Sequence, residues 1–258
     1  MNVRDYIAHN IIDTPFETVA KGFMTLSQFP KRIRHPELSE IYAESVRTEL
    51  VIKKIINSSM NCIDIGAHLG SVLNLINHLS PEGKHIAIEP IPYKYNWLKH
   101  KFPNTDIFNV ALSDTEGEAD FYLKQRHSGY SGLSPHGKDQ NIEILKVKLA
   151  RLDDIVPSDL SIGFIKIDVE GAELAALKGS EKIIMRCNPI ILFECTQSGL
   201  KAHQVSPSKI YEFFQSHNYR LFLMKDWLSH GDSLDYQRFI SSMEYPFQAF
   251  NFLAVPQE

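Results

Sequence analysis

From about residue 60 to its end, this 258-residue chain alternates between short apolar runs typical of β-strands and segments with helical periodicity. The strand-like runs lie at 62–66, 85–89, 106–112, 162–168, 189–194, 219–224 and 248–255, and the clearest helical patterns at 71–79, 92–101 and 207–216. Strands that take turns with helices are usually parallel neighbours, because each helix carries the chain back across the sheet. The pattern therefore predicts an α/β fold with a doubly wound, mostly parallel sheet that ends in an antiparallel C-terminal strand.

The first 57 residues have a different character. Prolines break them into short pieces, and one longer helical pattern follows at 37–57, with Tyr42, Val46 and Leu50 on one face. Such a segment is too short for a domain of its own, so we expect a helical extension at 1–57 and one sheet domain at 58–258. The extension either caps the open edge of the sheet or forms a homodimer contact, and the sequence leaves both open.

Composition restricts the kinds of partner. The net charge of -4 and the short basic clusters indicate no nucleic-acid surface. An apolar run of about 18 residues and a signal peptide are both lacking, so a protein of the cytoplasm without a membrane span is expected. The three cysteines, Cys62, Cys187 and Cys195, lie in or beside apolar segments and are expected to be reduced thiols.

Carboxylates directly follow one of the predicted strands. The run that ends at Ile167 leads into Asp168, Glu170 and Glu173, and then into a helical pattern. Open α/β sheets bind ligands where parallel strands end, so these acids are expected at that edge, with Glu194 at the end of the next strand. Glu170 and Glu173 also suit a first helical turn, where the helix dipole favours negative charge. Asp168 is the stronger functional candidate, because an acid that closes an apolar strand needs a partner or a function.

A glycine-containing turn links the first predicted strand to its helix. Residues 64–70 read Asp-Ile-Gly-Ala-His-Leu-Gly, and this spacing differs from the G-x-G-x-x-G of dinucleotide sites. Glycine lets the backbone approach a ligand closely, because no Cβ intervenes. The next strand ends in Glu89, followed by Pro90, and a carboxylate there is placed to accept both hydroxyls of a ribose. Together the two features predict a nucleoside-containing cofactor.

Five segments together resemble the FkbM-type methyltransferases, a family with the class I, Rossmann-like fold that uses S-adenosyl-L-methionine. They are residues 64–70, 88–90, 109–114, 151–154 and 165–179, and the resemblance spans about residues 44–255. The last segment, which reads Ile-Lys-Ile-Asp-Val-Glu-Gly-Ala-Glu and continues to Gly179, is the most specific of the five.

The resemblance implies roles for residues along the sheet edge. The methionine part of the cofactor is expected among Asp64, Gly66, Ala67, His68 and Gly70, the ribose at Glu89 and Pro90, the adenine at Asn109, Val110 and Ala111, and the methyl group beside Asp168. The family usually has Asn at the position of His68. An imidazole replaces one amide hydrogen bond but not the full donor and acceptor set.

The resemblance implies an S-adenosylmethionine-dependent O-methyltransferase that acts on a hydroxyl of a small molecule, such as a sugar or a polyketide-like natural product. A hydroxyl is a poor nucleophile until a base removes its proton, and such a base contributes ~10²–10⁴-fold. Asp168 and Glu170 are the leading candidates for this catalytic base, and Glu194 comes next. We expect the loop at 126–141 and the N-terminal segment to line the acceptor pocket, because both lie outside the sheet pattern.

Other interpretations stay open at this point. Carboxylates at adjacent strand ends could hold a divalent cation, although further ligands cannot be identified and no metal is predicted. His127 and His136, in the loop at 126–141, are further candidate bases. An NAD-type oxidoreductase and a non-catalytic ligand-binding module are the alternative functions, and the missing G-x-G-x-x-G counts against the first.

Overall fold

In a computed structural model of the chain, the structure describes residues 33–124, 131–134 and 142–257. The predicted bases His127 and His136, and most of the loop at 126–141, lie outside the described residues. Among the described helices, none is both long and apolar enough to cross a membrane.

The described residues form ten strands in two sheets. The strands are β1 (Cys62–Ile65), β2 (Ile86–Ile88), β3 (Asp106–Phe108), β4 (Ala111–Leu112), β5 (Gly117–Lys124), β6 (Ile142–Ala150), β7 (Phe164–Ile167), β8 (Ile190–Glu194), β9 (Tyr219–Leu223) and β10 (Asn251–Pro256). The main sheet has the order β3-β2-β1-β7-β8-β10-β9. Its first five strands are parallel, and β10 runs antiparallel between β8 and β9. The predicted mostly parallel sheet with an antiparallel C-terminal strand is confirmed.

Helices cover both faces of this sheet. A short 3₁₀ turn at Pro36–Leu38 precedes α1 (Ser39–Tyr42) and α2 (Glu44–Ile55), and the helices that follow are α3 (Ser71–Leu79), α4 (Pro92–Lys101), α5 (Leu152–Ile155), α6 (Glu173–Lys178), α7 (Glu181–Cys187), α8 (Gln197–Ala202), α9 (Pro207–Ser216), α10 (Met224–Leu228) and α11 (Tyr236–Ser242). The strands β1, β7 and β8 are buried almost throughout, as expected for parallel strands between two helical layers.

The segment 106–112, expected as one strand, is divided between the two sheets. β3 ends at Phe108, and β4 pairs with β6 instead, in a small sheet of order β4-β6-β5. Between them, the Asn109 amide donates hydrogen bonds to the carbonyls of Glu89 and Pro90, both at 2.9 Å. This side chain fixes the chain end of β3 to that of β2, and the backbone leaves the main sheet there.

The helix expected at 37–57 begins later and buries a different face. Val46 and Leu50 on α2 are 61% and 49% exposed, whereas Val51 and Ile52 are fully buried against the sheet. Glu44 selects this orientation, because its Oε1 accepts hydrogen bonds from the backbone amides of Phe250 and Asn251 at 2.7 Å each. A buried carboxylate needs such partners, and they outweigh the exposure of two apolar side chains.

Candidate active site

A cavity of about 370 Å³ opens at the carboxyl ends of the parallel strands. Nine of the thirteen site residues predicted from the sequence line it, namely Gly66, His68, Glu89, Pro90, Val110, Ala111, Asp168, Glu170 and Glu194. Asp64, Ala67, Gly70 and Asn109 are not among the described residues that line the cavity. The small sheet contributes Phe121 of β5, which the sequence analysis did not single out, and Ser131 and Leu133 of the loop at 126–141 also line the cavity.

Gly66 is required by the close approach of two strand ends. Its φ of +77° lies in the left-handed region, and a Cβ built there would stand 1.8 Å from the backbone oxygen of Asp168. The amides of Gly66 and Ala67 both donate to the carbonyl of Ile88. The glycine thus lets the turn after β1 reach the strand ends on either side of it.

Gly70 and Ala67 face the core instead of the cavity. A Cβ on Gly70, at φ +84°, would lie 2.5 Å from the ring of Phe102 and 2.8 Å from Leu98, so this glycine permits the start of α3 to pack against α4. Ala67 is buried in the same cluster, together with Leu73. The sequence argument attributed both glycines of this turn to the close approach of a ligand. For Gly70 the structure gives a different reason, because its missing Cβ leaves room for Phe102 and Leu98.

Glu89 lies at the bottom of the cavity wall and is almost fully buried. Its Oε2 accepts a hydrogen bond from the His68 amide at 2.8 Å, and its Oε1 accepts one from the Ile91 amide at 2.9 Å. Burial raises the pKa of Glu89, and the charge of Lys94, a cavity-lining lysine of α4 that is 1% exposed, opposes this rise. A carboxylate has about four acceptor positions, so the two oxygens of Glu89 can still accept hydrogen bonds from hydroxyl groups.

The turn after β7 directs two carboxylates into the cavity. Glu170 has a φ of +55° and Gly171 a φ of +105°, and a Cβ on Gly171 would stand 2.4 Å from the Gly199 carbonyl oxygen. The left-handed pair reverses the chain between Asp168 and the start of α6. A non-glycine residue held at positive φ costs about 1–3 kcal/mol, and such residues cluster at functional sites.

Asp168, Glu170 and Glu194 meet at one point. Each brings a carboxylate oxygen to within 4.8 Å of the other two, as expected for acids at the ends of the adjacent strands β7 and β8. We refer to these three residues as the carboxylate trio. Burial and the neighbouring Asp168 carboxylate raise the pKa of Glu194. Burial also opposes ionisation of Asp168, yet the Lys166 ammonium, 3.2 Å from its Oδ2, holds the pKa of that carboxyl below its usual value.

Two further buried acids, Asp64 and Glu173, interact with the charge of Asp168 in the trio. Burial raises the pKa of Asp64 and of Glu173 to about 7 each, and one oxygen of each carboxylate, Oδ2 and Oε2 respectively, is buried without a hydrogen-bond partner among the described residues. The Asp168 charge adds to both shifts. The surroundings of the cavity are thus rich in acids, with Lys94 and Lys166 as the buried cations nearest to them.

This arrangement favours a ligand that carries positive charge and hydroxyl groups. The buried acids suit a cationic group, and the partly exposed Asp168 and Glu170 are placed to accept a proton from a bound hydroxyl. The trio also offers oxygen donors of the kind that divalent cations prefer. Sequence reasoning missed Lys94 and Lys166, although a lysine inside an otherwise apolar strand was a visible signal for the second.

A family model and a curated relative match this sequence. The sequence model described as "Methyltransferase FkbM domain" matches residues 64–221, which is more than half of the chain and includes every predicted site residue. A curated relative, the methyltransferase sdnD of Sordaria araneosa, is 23% identical in an alignment of 204 positions that covers 62% of this chain and 79% of that protein.

Solved structures give weaker matches. A methyltransferase FkbM from Methylobacillus flagellatus KT matches with a TM-score of 0.49 and 15% identity over 78% of this chain, and this chain spans only 44% of its length. A TehB-like SAM-dependent methyltransferase from Corynebacterium glutamicum matches with a TM-score of 0.43 and 11% identity, covering 86% of this chain and all of the other.

Proposed function

This chain belongs to the FkbM methyltransferase family, and on that premise we propose that it transfers a methyl group to a hydroxyl oxygen of a small molecule, such as a sugar or a polyketide-like natural product. Its cofactor is S-adenosyl-L-methionine. The observation that carries the proposal of O-methylation is the carboxylate trio, which shares one cavity with Glu89 and the turn after β1.

The residues of the cavity fit this cofactor. Glu89 keeps acceptor capacity for two ribose hydroxyls after its two backbone hydrogen bonds. The acids that line the cavity outnumber Lys94, the single lysine among its described lining residues, and this excess suits a cationic ligand. We assign the ribose to Glu89 and Pro90, the methionine part to the turn at 64–70, and the adenine to the apolar wall at Val110 and Ala111, where Asn109 fixes the backbone.

The chain's own residues would then position and activate the acceptor. When bound, the cofactor supplies an electrophilic methyl group, and the acceptor oxygen must be held roughly 3 Å from it and in line with the leaving sulfur. Asp168 accepts the hydroxyl proton, because Lys166 keeps its carboxylate ionised and its side chain is 37% exposed toward the cavity. Glu170 accepts a second hydroxyl of the acceptor and orients it. Phe121 and Leu133 exclude water on the opposite wall.

The N-terminal boundary is also part of this proposal. We place the methyltransferase domain at 58–258 and an extension at 1–57 that supports the acceptor side. Within the described part of this extension, α2 packs on the sheet face that carries Asp64 and Lys166.

An acceptor panel tests the reaction. The protein is incubated with S-adenosyl-L-methionine and either hydroxyl acceptors (sugars, glycosides and polyketides) or matched amine and thiol analogues, and S-adenosylhomocysteine release is measured together with the mass of one added methyl group. We expect methylation of at least one hydroxyl acceptor. Transfer to amines or thiols alone would overturn the proposal of O-methylation.

A binding experiment separates the alternative functions. A ligand that binds only the folded state raises the melting temperature, so S-adenosylhomocysteine should stabilise the protein and NAD should not. Stabilisation by NAD alone would favour an oxidoreductase. Binding of S-adenosylhomocysteine without turnover on any acceptor would favour a non-catalytic module.

A further inference from the structure

Lys166 is a lysine in the middle of the buried strand β7, with 4% of its surface exposed. Its Nζ donates hydrogen bonds to Asp168 Oδ2 at 3.2 Å and to the carbonyl of Ile167 at 3.3 Å. A lysine is almost never fully buried unless its charge is paired. The ammonium is therefore held in one place, directly behind the carboxylate that faces the cavity.

The sheet register places acids on both sides of this lysine. Asp64 is the partner of Lys166 on β1, and Glu194 follows two residues after Leu192, its partner on β8, so both acids lie on the same face of the sheet as Lys166. The Lys166 charge also opposes the rise that burial causes in the pKa of Glu44, on α2. Burial disfavours the charged form of Lys166, but the carboxylates of Asp168, Glu194 and Asp64 raise its pKa. The ammonium remains charged in this environment.

The carboxylate trio cannot be fully ionised around a single ammonium. Three carboxylate oxygens within 4.8 Å of one another repel strongly in a partly buried site, and like charges at this distance retain a proton on one member. The hydrogen bonds decide which member keeps it. Lys166 contacts Asp168 directly, whereas Glu194 faces two carboxylates.

We propose that Lys166 is the positioning residue of the carboxylate trio: its ammonium keeps Asp168 ionised and directed into the cavity, so that the remaining proton rests on Glu194. The protonated Glu194 then donates a hydrogen bond to Asp168 and fixes its second oxygen. Lys166 does not contact the acceptor and acts only through Asp168. The catalytic meaning of this arrangement rests on the proposed function, but the arrangement itself does not.

The groups that act on Asp168 come from every neighbouring element. They are Lys166 on β7, Glu194 on β8, Asp64 on β1, His68 in the turn after β1, Glu89 after β2, and Glu170 and Glu173 after β7. Three of them favour the ionised form of Asp168, namely Lys166, the hydrogen bond from Glu194, and His68. Lys166 has the largest effect of the three, so its removal should dominate any change in the titration of this carboxyl.

Side-chain carboxyl titration tests the proposal without an acceptor. The protein is labelled with carbon-13 at the Asp and Glu carboxyls, its signals are followed by NMR from acid to alkaline pH, and Asp168→Asn and Glu194→Gln assign the two resonances. In the wild type, Asp168 should ionise below Glu194. In Lys166→Met, which keeps the length of the chain without the charge, Asp168 should ionise at least one pH unit higher, a tenfold change in its acid constant. Lys209→Met, on the exposed surface of α9, is the matched control and should change neither.

The outcomes separate this inference from the proposed function. An unchanged Asp168 titration in folded Lys166→Met would overturn the inference, and so would a wild-type Glu194 that ionises below Asp168. If Lys166→Met does not fold, the order in which Asp168 and Glu194 ionise in the wild type still tests the inference. If the titration is as expected and no hydroxyl acceptor is methylated, the proposed function fails while the assignment of Lys166 stands.

Discussion

The backbone amide of His68 donates a hydrogen bond to Glu89 Oε2 at 2.8 Å, which joins the turn after β1 to the acid after β2. His68 has a φ of +52°, a conformation in which few residues other than glycine are found, and this bond helps to hold it there. The two sequence features that predicted a cofactor are therefore one structural unit. A change in Glu89 also affects the turn that we assign to the methionine part.

Replacement of Glu89 tests the ribose assignment. Glu89→Ala should weaken S-adenosylhomocysteine binding by about ten- to a hundredfold, because hydrogen bonds to a charged group are worth about 1.5–3 kcal/mol. Glu89→Gln keeps the shape and one acceptor oxygen, so its loss should be smaller. Calorimetric titration measures both, with the exposed Glu212→Ala of α9 as the control. Unchanged affinity in Glu89→Ala would remove the assignment.

The base assignment is tested on an acceptor from the panel. Asp168→Asn and Glu170→Gln keep the side-chain shapes, and each should lower kcat by ~10²-fold or more through loss of proton removal and alignment. The melting temperature of Glu170→Gln should stay near that of the wild type, whereas Asp168→Asn leaves the buried Lys166 ammonium without its charged partner and should lower it. Asp120→Asn on β5, which breaks an exposed pair with Lys146, is the control. Full activity in both site variants would contradict the catalytic assignment.

A test for metal dependence shows whether the carboxylate trio acts as a base or binds a metal ion. Lys166 already supplies positive charge beside Asp168, so excess chelator should leave the turnover of the wild-type protein unchanged. The measurement compares initial rates with and without chelator, and then after addition of magnesium. Activity that is abolished by the chelator and restored by magnesium would show that the trio binds a cation.

The periodic parts of the fold could be predicted from the sequence. The helices at Ser71–Leu79, Pro92–Lys101 and Pro207–Ser216 have the expected bounds, because proline and glycine mark their ends and their apolar spacing is regular. The short helices α7, α8, α10 and α11 have too few turns to show such a period. The division of 106–112 depends on the Asn109 side chain and its two carbonyl acceptors, which no local pattern reveals.

The strand-end acids of the candidate site could be located from the sequence in the same way. Parallel strands end at one edge of a sheet, so Asp168 and Glu194 were expected together, and the structure brings their oxygens within 4.8 Å. The roles of Lys94 and Lys166 depend on which acids surround them, and this follows from register and helix packing. The orientation of α2 depends likewise on a long-range bond from Glu44 to the start of β10.

Truncation tests the proposed boundary of the extension. Deletion of residues 1–36 should lower acceptor turnover and leave S-adenosylhomocysteine binding intact, because α2 remains on the sheet. Deletion of 1–57 also removes the buried Val51, Ile52 and Ile56, and should lower the free energy of unfolding by about 5 kcal/mol or more. Urea unfolding and calorimetry measure both variants. Equal loss of cofactor and acceptor function in the shorter deletion would place residues 1–36 in the cofactor site.

Glu173 should make stability fall as the pH rises. Burial raises its pKa from 4.5 to about 7 in the folded protein, so the folded state binds more protons than the unfolded chain between these values. Its contribution is fully present below about pH 4.5 and is lost as the pH rises through about 7, a change of about 3 kcal/mol for 2.5 pKa units.

Glu173→Gln isolates this contribution. The amide oxygen can still accept the Gly171 amide hydrogen bond, which is 2.9 Å long in the wild type, while the ionisable group is gone. Asp64, whose pKa is also about 7, is present in both proteins and cancels in the difference. Urea unfolding between pH 4.5 and 8 should therefore show a shallower decline in the variant, and the exposed Glu212→Gln should follow the wild type. Parallel curves for wild type and Glu173→Gln would mean that Glu173 does not ionise across this range.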